Sequence, residues 1–387
     1  MRGRRWSWLW RGASTLGVLL LLLSAFTVAD GWKSFGRRAE GPERARMEAS
    51  PEWAKGHFVN PQPLHNGVRV GLLDAFHASP DRSPREPVPL DTAARQVLDR
   101  PPASGLRVTW FGHSTILLEL DGQRVLIDPV FGPRASPVTW AGPRRWYSPP
   151  LALAELPQLD AVLISHDHYD HLDRATISDL KDRSPLFIVP LGVASHLIYW
   201  GVPAAHIIEV DWWDKTKVGG LEIVSTPARH ASGRTLLDGD ATLWTGYALI
   251  GAVHRVYYSG DTGLFPALRD IGARLGPFDL TMIEVGQYDR AWPDWHMGPE
   301  QAVRAHQLVR GRVLLPVHWG AFTLAFHAWT EPIERALVAG RSSGVMVVAP
   351  EPGQSVEPEA PPPFVQWWPN LPWKRAAEDP IVSTQME

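Results

Sequence analysis

Residues 165–173 read Ser165-His166-Asp167-His168-Tyr169-Asp170-His171-Leu172-Asp173, three imidazoles and three carboxyls in nine positions. Within this run His166, His168, Asp170 and His171 form the spacing His-x-His-x-Asp-His, which sets imidazole nitrogens and carboxylate oxygens close enough to share a cation. The stretch just upstream, Leu159-Asp160-Ala161-Val162-Leu163-Ile164, is apolar and rich in branched residues, the pattern of a buried strand. The cluster is therefore expected at the carboxyl end of a strand, where open α/β sheets place their sites.

Three more strand ends carry a ligand-type residue each. They are Ser225-Thr226-Pro227-Ala228-Arg229-His230, Tyr257-Tyr258-Ser259-Gly260-Asp261-Thr262-Gly263 and Leu315-Pro316-Val317-His318-Trp319-Gly320. Four strand ends that each present a ligand describe a site spread along one edge of a sheet. The chain has no cysteine, so thiolate ligands, a thiol nucleophile and disulfides are all excluded. Imidazole and carboxylate donors without thiolate suit Zn²⁺, with Fe or Mn as alternatives.

Around these stretches the pattern is α/β. A meander opens with β-rich runs at Leu106–Phe111, Thr115–Leu120 and Arg124–Asp128, the last two joined by the hairpin signal Asp121-Gly122. Beyond the cluster, strands are expected at Leu186–Val189, Ile207–Val210, Leu221–Thr226, Thr242–Ile250, Arg255–Ser259, Asp279–Glu284, Val313–Val317 and Gly344–Val348. Helices are expected near Val193–Trp200, Leu264–Leu275, Pro299–Val309 and Glu331–Ala339, with Pro299-Glu300 a favourable first turn. The halves before and after about residue 215 read as two similar layers.

Of the 387 residues, 44% are hydrophobic and 20% charged, enough for a large core in one big domain or two modest ones. The formal charge of -3 hides an asymmetry, since residues 1–46 hold nine basic side chains against Asp30, Glu40 and Glu43. The acidic remainder argues against nucleic acid as a partner. An Arg-rich head precedes the uncharged run 12–29, centred on Gly17–Leu23; residues 1–30 are thus a cleaved signal peptide or an uncleaved signal-anchor helix. Either one sends the rest of the chain across a membrane. Residues 31–104, broken by prolines, read as an irregular arm, 105–350 as the catalytic domain and 351–387 as a Pro-rich tail. The 19 Trp serve as core filling or as an interfacial belt.

These motifs together resemble the metallo-β-lactamase-fold hydrolases, and within them the N-acylphosphatidylethanolamine-hydrolysing phospholipase D family. The resemblance is carried by Phe58-Val59-Asn60-Pro61, Trp110-Phe111-Gly112-His113-Ser114-Thr115, residues 165–173, Thr226-Pro227 to His230 with Arg234-Thr235-Leu236, Ser259–Gly263, Gly276–Leu280, Pro299–Val303 and His318-Trp319-Gly320. It spans about residues 56 to 325. It implies an αββα sandwich of two mixed β-sheets flanked by helices. It further implies two Zn²⁺, one held by His166, His168 and His230 and the other by Asp170, His171 and His318, with Asp261 bridging. The implied reaction is attack of a metal-bridging hydroxide on phosphorus, giving N-acylethanolamine and phosphatidic acid. Asp261 and His296 are the candidate catalytic residues, His296 through substrate phosphate or the leaving group, although a loop histidine of this kind is as often plain surface. His306, mid-helix, reads as structural; Asp173 either orients a ligand histidine or caps a helix; His113 lies beside the site or packs at a strand end.

The implied partners are a phospholipid substrate and a membrane surface. The apolar N-terminal run departs from the animal members and suggests a bacterial-type protein of the cell envelope, anchored facing the periplasm or exported. Two other readings stay open. The same dinuclear centre hydrolyses lactones, esters or amides, and a membrane-anchored binding protein could keep the fold without activity. The oligomeric state is open, a homodimer included.

Overall fold

Period-two alternation of apolar residues separates two strand-rich halves of the chain, and each half supplies all or all but one of the strands of one sheet. The computed structural model describes residues 2–65, 76, 78–183 and 185–384, the side chains of residues 2–12 excepted. The side chains of Arg2, Arg4, Arg5, Arg11, Trp6, Trp8 and Trp10, and all of His77, lie outside the described residues.

A two-stranded hairpin, β1 (Trp53–Ala54) and β2 (His57–Phe58), precedes the sandwich. The first half supplies β3 (Leu106–Trp110), β4 (Ile116–Leu120), β5 (Gln123–Ile127), β6 (Ala161–Leu163), β7 (Leu186–Pro190) and β8 (Ile207–Val210). From the second half come β9 (Lys215–Val218), β10 (Leu221–Thr226), β11 (Gly246–Ile250), β12 (Arg255–Tyr258), β13 (Phe278–Glu284), β14 (Gly311–Val317) and β15 (Met346–Val347). One sheet runs β16-β3-β4-β5-β6-β7-β8, with β16 at Ser355–Val356, and the other β15-β14-β13-β12-β11-β10-β9. Both are mixed: β3, β4 and β5 pair antiparallel and β5 to β8 parallel, while β9 to β12 pair antiparallel and β12 to β15 parallel. The change of sheet falls between Val210 and Lys215, where the sequence divides its two layers.

In the first sheet, Val108, Trp110, Ile116, Leu118, Ile127, Leu163 and Ile188 face the core shared by the two sheets. Their neighbours Leu117, Leu126, Val162, Phe187 and Val189 face outward onto the helices Arg174–Leu180 and Ala194–Tyr199. The second sheet is covered by the helices Ala267–Leu275, Pro299–Leu308 and Glu331–Ser343. This is the αββα sandwich of two mixed sheets flanked by helices. Asp121 and Gly122 both take positive φ, +47° and +87°, as the tight primed turn of a hairpin requires.

Two divisions drawn from the sequence are corrected by packing. The boundary at 350/351 is not a packing boundary, because Ser355–Val356 pairs with β3 and Trp367 and Trp368 are buried in the main core. Nor is the arm 31–104 irregular throughout: it holds the helices Gly41–Glu48 and Ala94–Leu98 as well as the β1-β2 hairpin. Its Met47 and Phe58 are buried against Trp212, Leu243 and Trp244. Prolines break periodicity in both segments, so their contribution to the core comes from single anchoring side chains that leave no repeat to read.

Candidate metal centre

The parallel strands β5, β6, β12, β13 and β14 all point their carboxyl ends at one edge of the sandwich. Strand β10, two antiparallel steps from β12, ends there too. His166, His168, Asp170 and His171 follow β6; His230 follows β10, Asp261 follows β12, and His318 comes directly after β14. All seven converge.

His166 Nε2 lies 2.9 Å and His230 Nε2 3.3 Å from His168 Nδ1. The opposite nitrogens of the outer two rings are already engaged. His230 Nδ1 faces the Trp295 carbonyl at 3.0 Å, and His166 Nδ1 faces Ser165 Oγ at 2.9 Å, while that hydroxyl donates to Asp128 Oδ2 at 2.5 Å. The Nε2 atoms of His166 and His230 are thus left as lone pairs turned toward His168, an arrangement that a shared cation resolves. On the other side, Asp170 Oδ2 lies 3.5 Å from His171 Nε2 and 3.3 Å from His318 Nε2. Asp261 Oδ2 is 3.1 Å from both His171 and His318 and 3.8 Å from both His166 and His230, so one carboxylate oxygen reaches both groups.

Electrostatics follow from this crowding. Burial lowers His166, His168 and His230, which keeps their imidazoles neutral. Burial alone would raise Asp170 and Asp261, but His171 and the other histidines around them hold both well below the carboxylate range. Burial alone would likewise lower His171 and His318; Asp261 and Asp170 outweigh it, lifting His171 well above the imidazole range and His318 to about 10. The two carboxylates thus demand positive charge from their neighbours. In addition, His171 Nε2 and Asp261 Oδ1 are buried without a hydrogen-bond partner. The neutral nitrogens of His166, His168 and His230, the ionised carboxylates and the buried atoms left without a hydrogen bond fit a pair of divalent ions.

Partners behind the ligands were missed in the sequence. Asp128, fully buried at the end of β5, takes His171 Nδ1 at 2.7 Å, Ser165 N at 2.7 Å and Tyr258 OH at 2.5 Å. It is the carboxyl that orients His171. Glu284, also fully buried, ends β13 and accepts from the N–H groups of Thr262 at 2.9 Å and Met297 at 3.0 Å, with His296 Nδ1 at 2.8 Å. Burial raises its carboxyl. A charged residue closing an otherwise apolar strand was the available signal for both, at Ile127-Asp128 and Ile283-Glu284.

His113 lies 2.9 Å from Asp170 Oδ2, and burial lowers it to about 3, so it donates to the carboxylate as a neutral ring. Asp173 accepts from the N–H groups of Ala175 and Thr176 and caps the helix that starts at Arg174. It touches no ligand. His306 is buried with Nδ1 2.7 Å from Thr281 Oγ1, a structural contact. Asn60 of the arm donates to the His230 carbonyl at 2.7 Å and accepts from its N–H at 3.2 Å.

The ligands open on a cavity of about 280 Å³ lined by His168, Asp170, His230, Asp261, His296 and His318 on its polar side. Trp292, Trp295, Leu324 and Gln287 form the rest of its wall. Because Glu284 takes Nδ1 of His296, Nε2 is the ring nitrogen left for the cavity.

A family model described as "Beta-lactamase superfamily domain" matches residues 123–319. The chain is 47% identical over 336 residues to an uncharacterized protein of Mycobacterium tuberculosis, covering 84% of this chain and 89% of that one. It is 36% identical over 292 residues to N-acyl-phosphatidylethanolamine-hydrolyzing phospholipase D 1 of Caenorhabditis elegans, covering 69% of this chain and 81% of that one. Among solved structures, Igni18, a metallo hydrolase of Ignicoccus hospitalis, aligns with a TM-score of 0.51 at 26% identity, over 65% of this chain and 97% of that chain.

Proposed function

Because the chain belongs to the metallo-β-lactamase superfamily and is a metal-dependent hydrolase, we propose that it is a phosphodiesterase cleaving N-acylphosphatidylethanolamine-like phospholipids to N-acylethanolamine and phosphatidic acid. The observation that carries this reading is the similarity, 36% identity over 292 residues, to the nematode phospholipase D, beside the convergence of His166, His168, Asp170, His171, His230, Asp261 and His318 at one edge of the sandwich.

His166, His168 and His230 would hold one ion and Asp170, His171 and His318 the other, with the Asp261 oxygen between them. Zn²⁺ is the proposed metal, Fe or Mn the alternatives. Two such ions would supply a nucleophile at neutral pH and offset the charge on the phosphoryl oxygens. The chain's own residues do the rest. Asp128 and Ser165 hold His171 and His166 with their Nε2 atoms inward, and His113 steadies Asp170. Glu284 holds His296 so that Nε2 faces the cavity, placed to hydrogen-bond the phosphate or to hold the proton that the leaving alcohol needs. Trp292, Trp295 and Leu324 give the cavity an apolar wall beside it.

A second reading is favoured by the size of the cavity. About 280 Å³ takes a head group and not the acyl chains of a lipid, and it accommodates a small lactone or ester equally well. Mass spectrometry of products after incubation with mixed phospholipids separates the two. Release of N-acylethanolamine with phosphatidic acid is expected. Free fatty acid alone refutes phosphoryl chemistry.

The helix span Ala13–Gly31, with mean hydropathy 1.8 and with Leu16, Leu19, Leu21 and Phe26 exposed, supports an envelope location with the segment as signal or anchor.

A further inference from the structure

Leu236 and Leu237 form the tip of the loop between His230 and β11 and are 103% and 86% exposed. Two adjacent leucines held wholly in water on a folded loop call for a partner. The loop is not loose. Asp238 Oδ1 accepts from the N–H groups of Arg234 and Thr235 at 3.0 and 2.7 Å, and Asp167 Oδ1 accepts from Gly233 N at 2.7 Å. Thr235 Oγ1 in turn accepts from Leu237 N at 3.2 Å. The tip is braced at its base and presents its apolar side chains outward.

What lies beside the tip identifies the partner. The segment that leaves the apolar N-terminal helix, residues 32–38, is tied to this loop. Arg234 Nε donates to the Ser34 carbonyl at 2.8 Å, and Arg38 donates to the Leu237 carbonyl. The helix itself shows Leu19, Leu20, Leu21, Leu22 and Phe26 to solvent, each about half exposed or more. At its end, Trp32 and Trp140 remain 53% and 44% exposed, with Phe26 against Trp140 at 6.5 Å between ring centroids. Indole at such a position suits a membrane–water boundary. Lys33, Arg37 and Arg38 follow Trp32 in the chain, and with Arg37 paired to Glu40 at 3.4 Å they leave a net positive charge beside the helix exit, complementary to anionic head groups.

The same loop leads to the metal centre. The Tyr169 hydroxyl donates to the Arg234 carbonyl at 2.6 Å, with the Arg234 guanidinium 4.1 Å from the centre of the Tyr169 ring. Tyr169 stands between His168 and Asp170 and packs in one cluster with Leu324 of the cavity wall.

We propose that the Leu236-Leu237 tip, together with the helix exit Trp32–Arg38, forms a second point of bilayer contact that sets the cavity mouth at the head groups. A helix alone tethers the enzyme at any tilt. A second apolar contact fixes the orientation, and a cavity of head-group size then suffices because the acyl chains stay in the bilayer. The inference rests on the lipid part of the proposed function, and its test reads immersion and not hydrolysis, so either can fail alone.

The chain lacks cysteine, so single labels go in cleanly. Leu236→Cys and Leu237→Cys, each in the full chain, carry an environment-sensitive fluorophore and are reconstituted into phosphatidylethanolamine–phosphatidylglycerol vesicles. Val253→Cys is the reference, 77% exposed in the β11-β12 turn at the opposite edge of the sandwich. Blue-shifted emission that is quenched by lipids spin-labelled near the head group is expected at 236 and 237, and neither effect at 253. The proposal is overturned if the labels at 236 and 237 behave like that at 253. It is equally overturned if they shift in lipid-free dimers and escape the lipid quencher, which would assign the tip to a second copy of the chain.

Discussion

Asp128 shows how much a single buried carboxyl contributes without touching a metal. It receives His171 Nδ1, Ser165 N, Ser165 Oγ and Tyr258 OH at 2.5 to 2.7 Å, and so sets the ring orientation of one ligand directly and of His166 through Ser165. Asp128→Asn is expected to weaken metal binding by about 10- to 100-fold, the usual effect of losing a partner behind a ligand histidine. Competition with a chromophoric chelator measures it, and unchanged affinity would remove Asp128 from this role. Glu284 acts on His296 in a parallel way. In Glu284→Gln the amide turns a donor toward His296 Nδ1 or leaves it unpaired, so the proton moves to the wrong nitrogen. A fall in kcat on the order of 10²-fold, with KM and metal content nearly unchanged, is the expected result. A change confined to KM would show that His296 binds substrate and holds no proton.

Among the elements, the helix Pro299–Leu308 packs on β13 through His306, whose Nδ1 meets Thr281 Oγ1 at 2.7 Å. Burial lowers this imidazole from 6.5 to about 4. The folded state keeps the ring neutral while the unfolded chain takes up a proton at its ordinary value. Its stabilisation is therefore fully present above pH 6.5 and is lost as pH falls toward 4, amounting to at most about 3 kcal/mol. His306→Gln should flatten the pH dependence of urea unfolding across that window. An unaltered slope would place the acid sensitivity elsewhere.

For the molecule as a whole, the two terminal segments are structural parts of the site's frame. The arm reaches His230 through Asn60, and the tail closes over the second sheet through Trp367, which stacks on Trp319 at 5.4 Å between ring centroids. At the far end, Thr384 N donates to Asp294 at 2.7 Å, and Asp294 pairs with the buried Arg229 at 2.9 Å, one residue before the ligand His230. Trp367→Ala should cost about 3–5 kcal/mol in urea unfolding, as large-to-small changes do in a packed core. A loss below about 1 kcal/mol would mean that the tail lies on the fold without supporting it.

The residues proposed to hold metal, His166, His168, Asp170, His171, His230, Asp261 and His318, were legible because they lie at or a few residues past the end of an apolar run of strand type, and strand ends are marked locally by composition. The sheets were legible for the same reason: period-two patterning is a property of neighbouring residues, and it placed the layer change near residue 215. Missed elements were short or edge strands, such as Lys215–Val218 and Ser355–Val356, whose solvent-facing positions dilute the alternation. Asp128 and Glu284 close apolar strands too, but which side chains they hold, like the neighbourhood of Leu237, belongs to the tertiary structure. Their partners lie across the sequence, Arg38 from Leu237 by 199 positions and Tyr258 from Asp128 by 130. A contact between distant residues leaves no periodic trace in either one, and only burial of both against the same core brings it about.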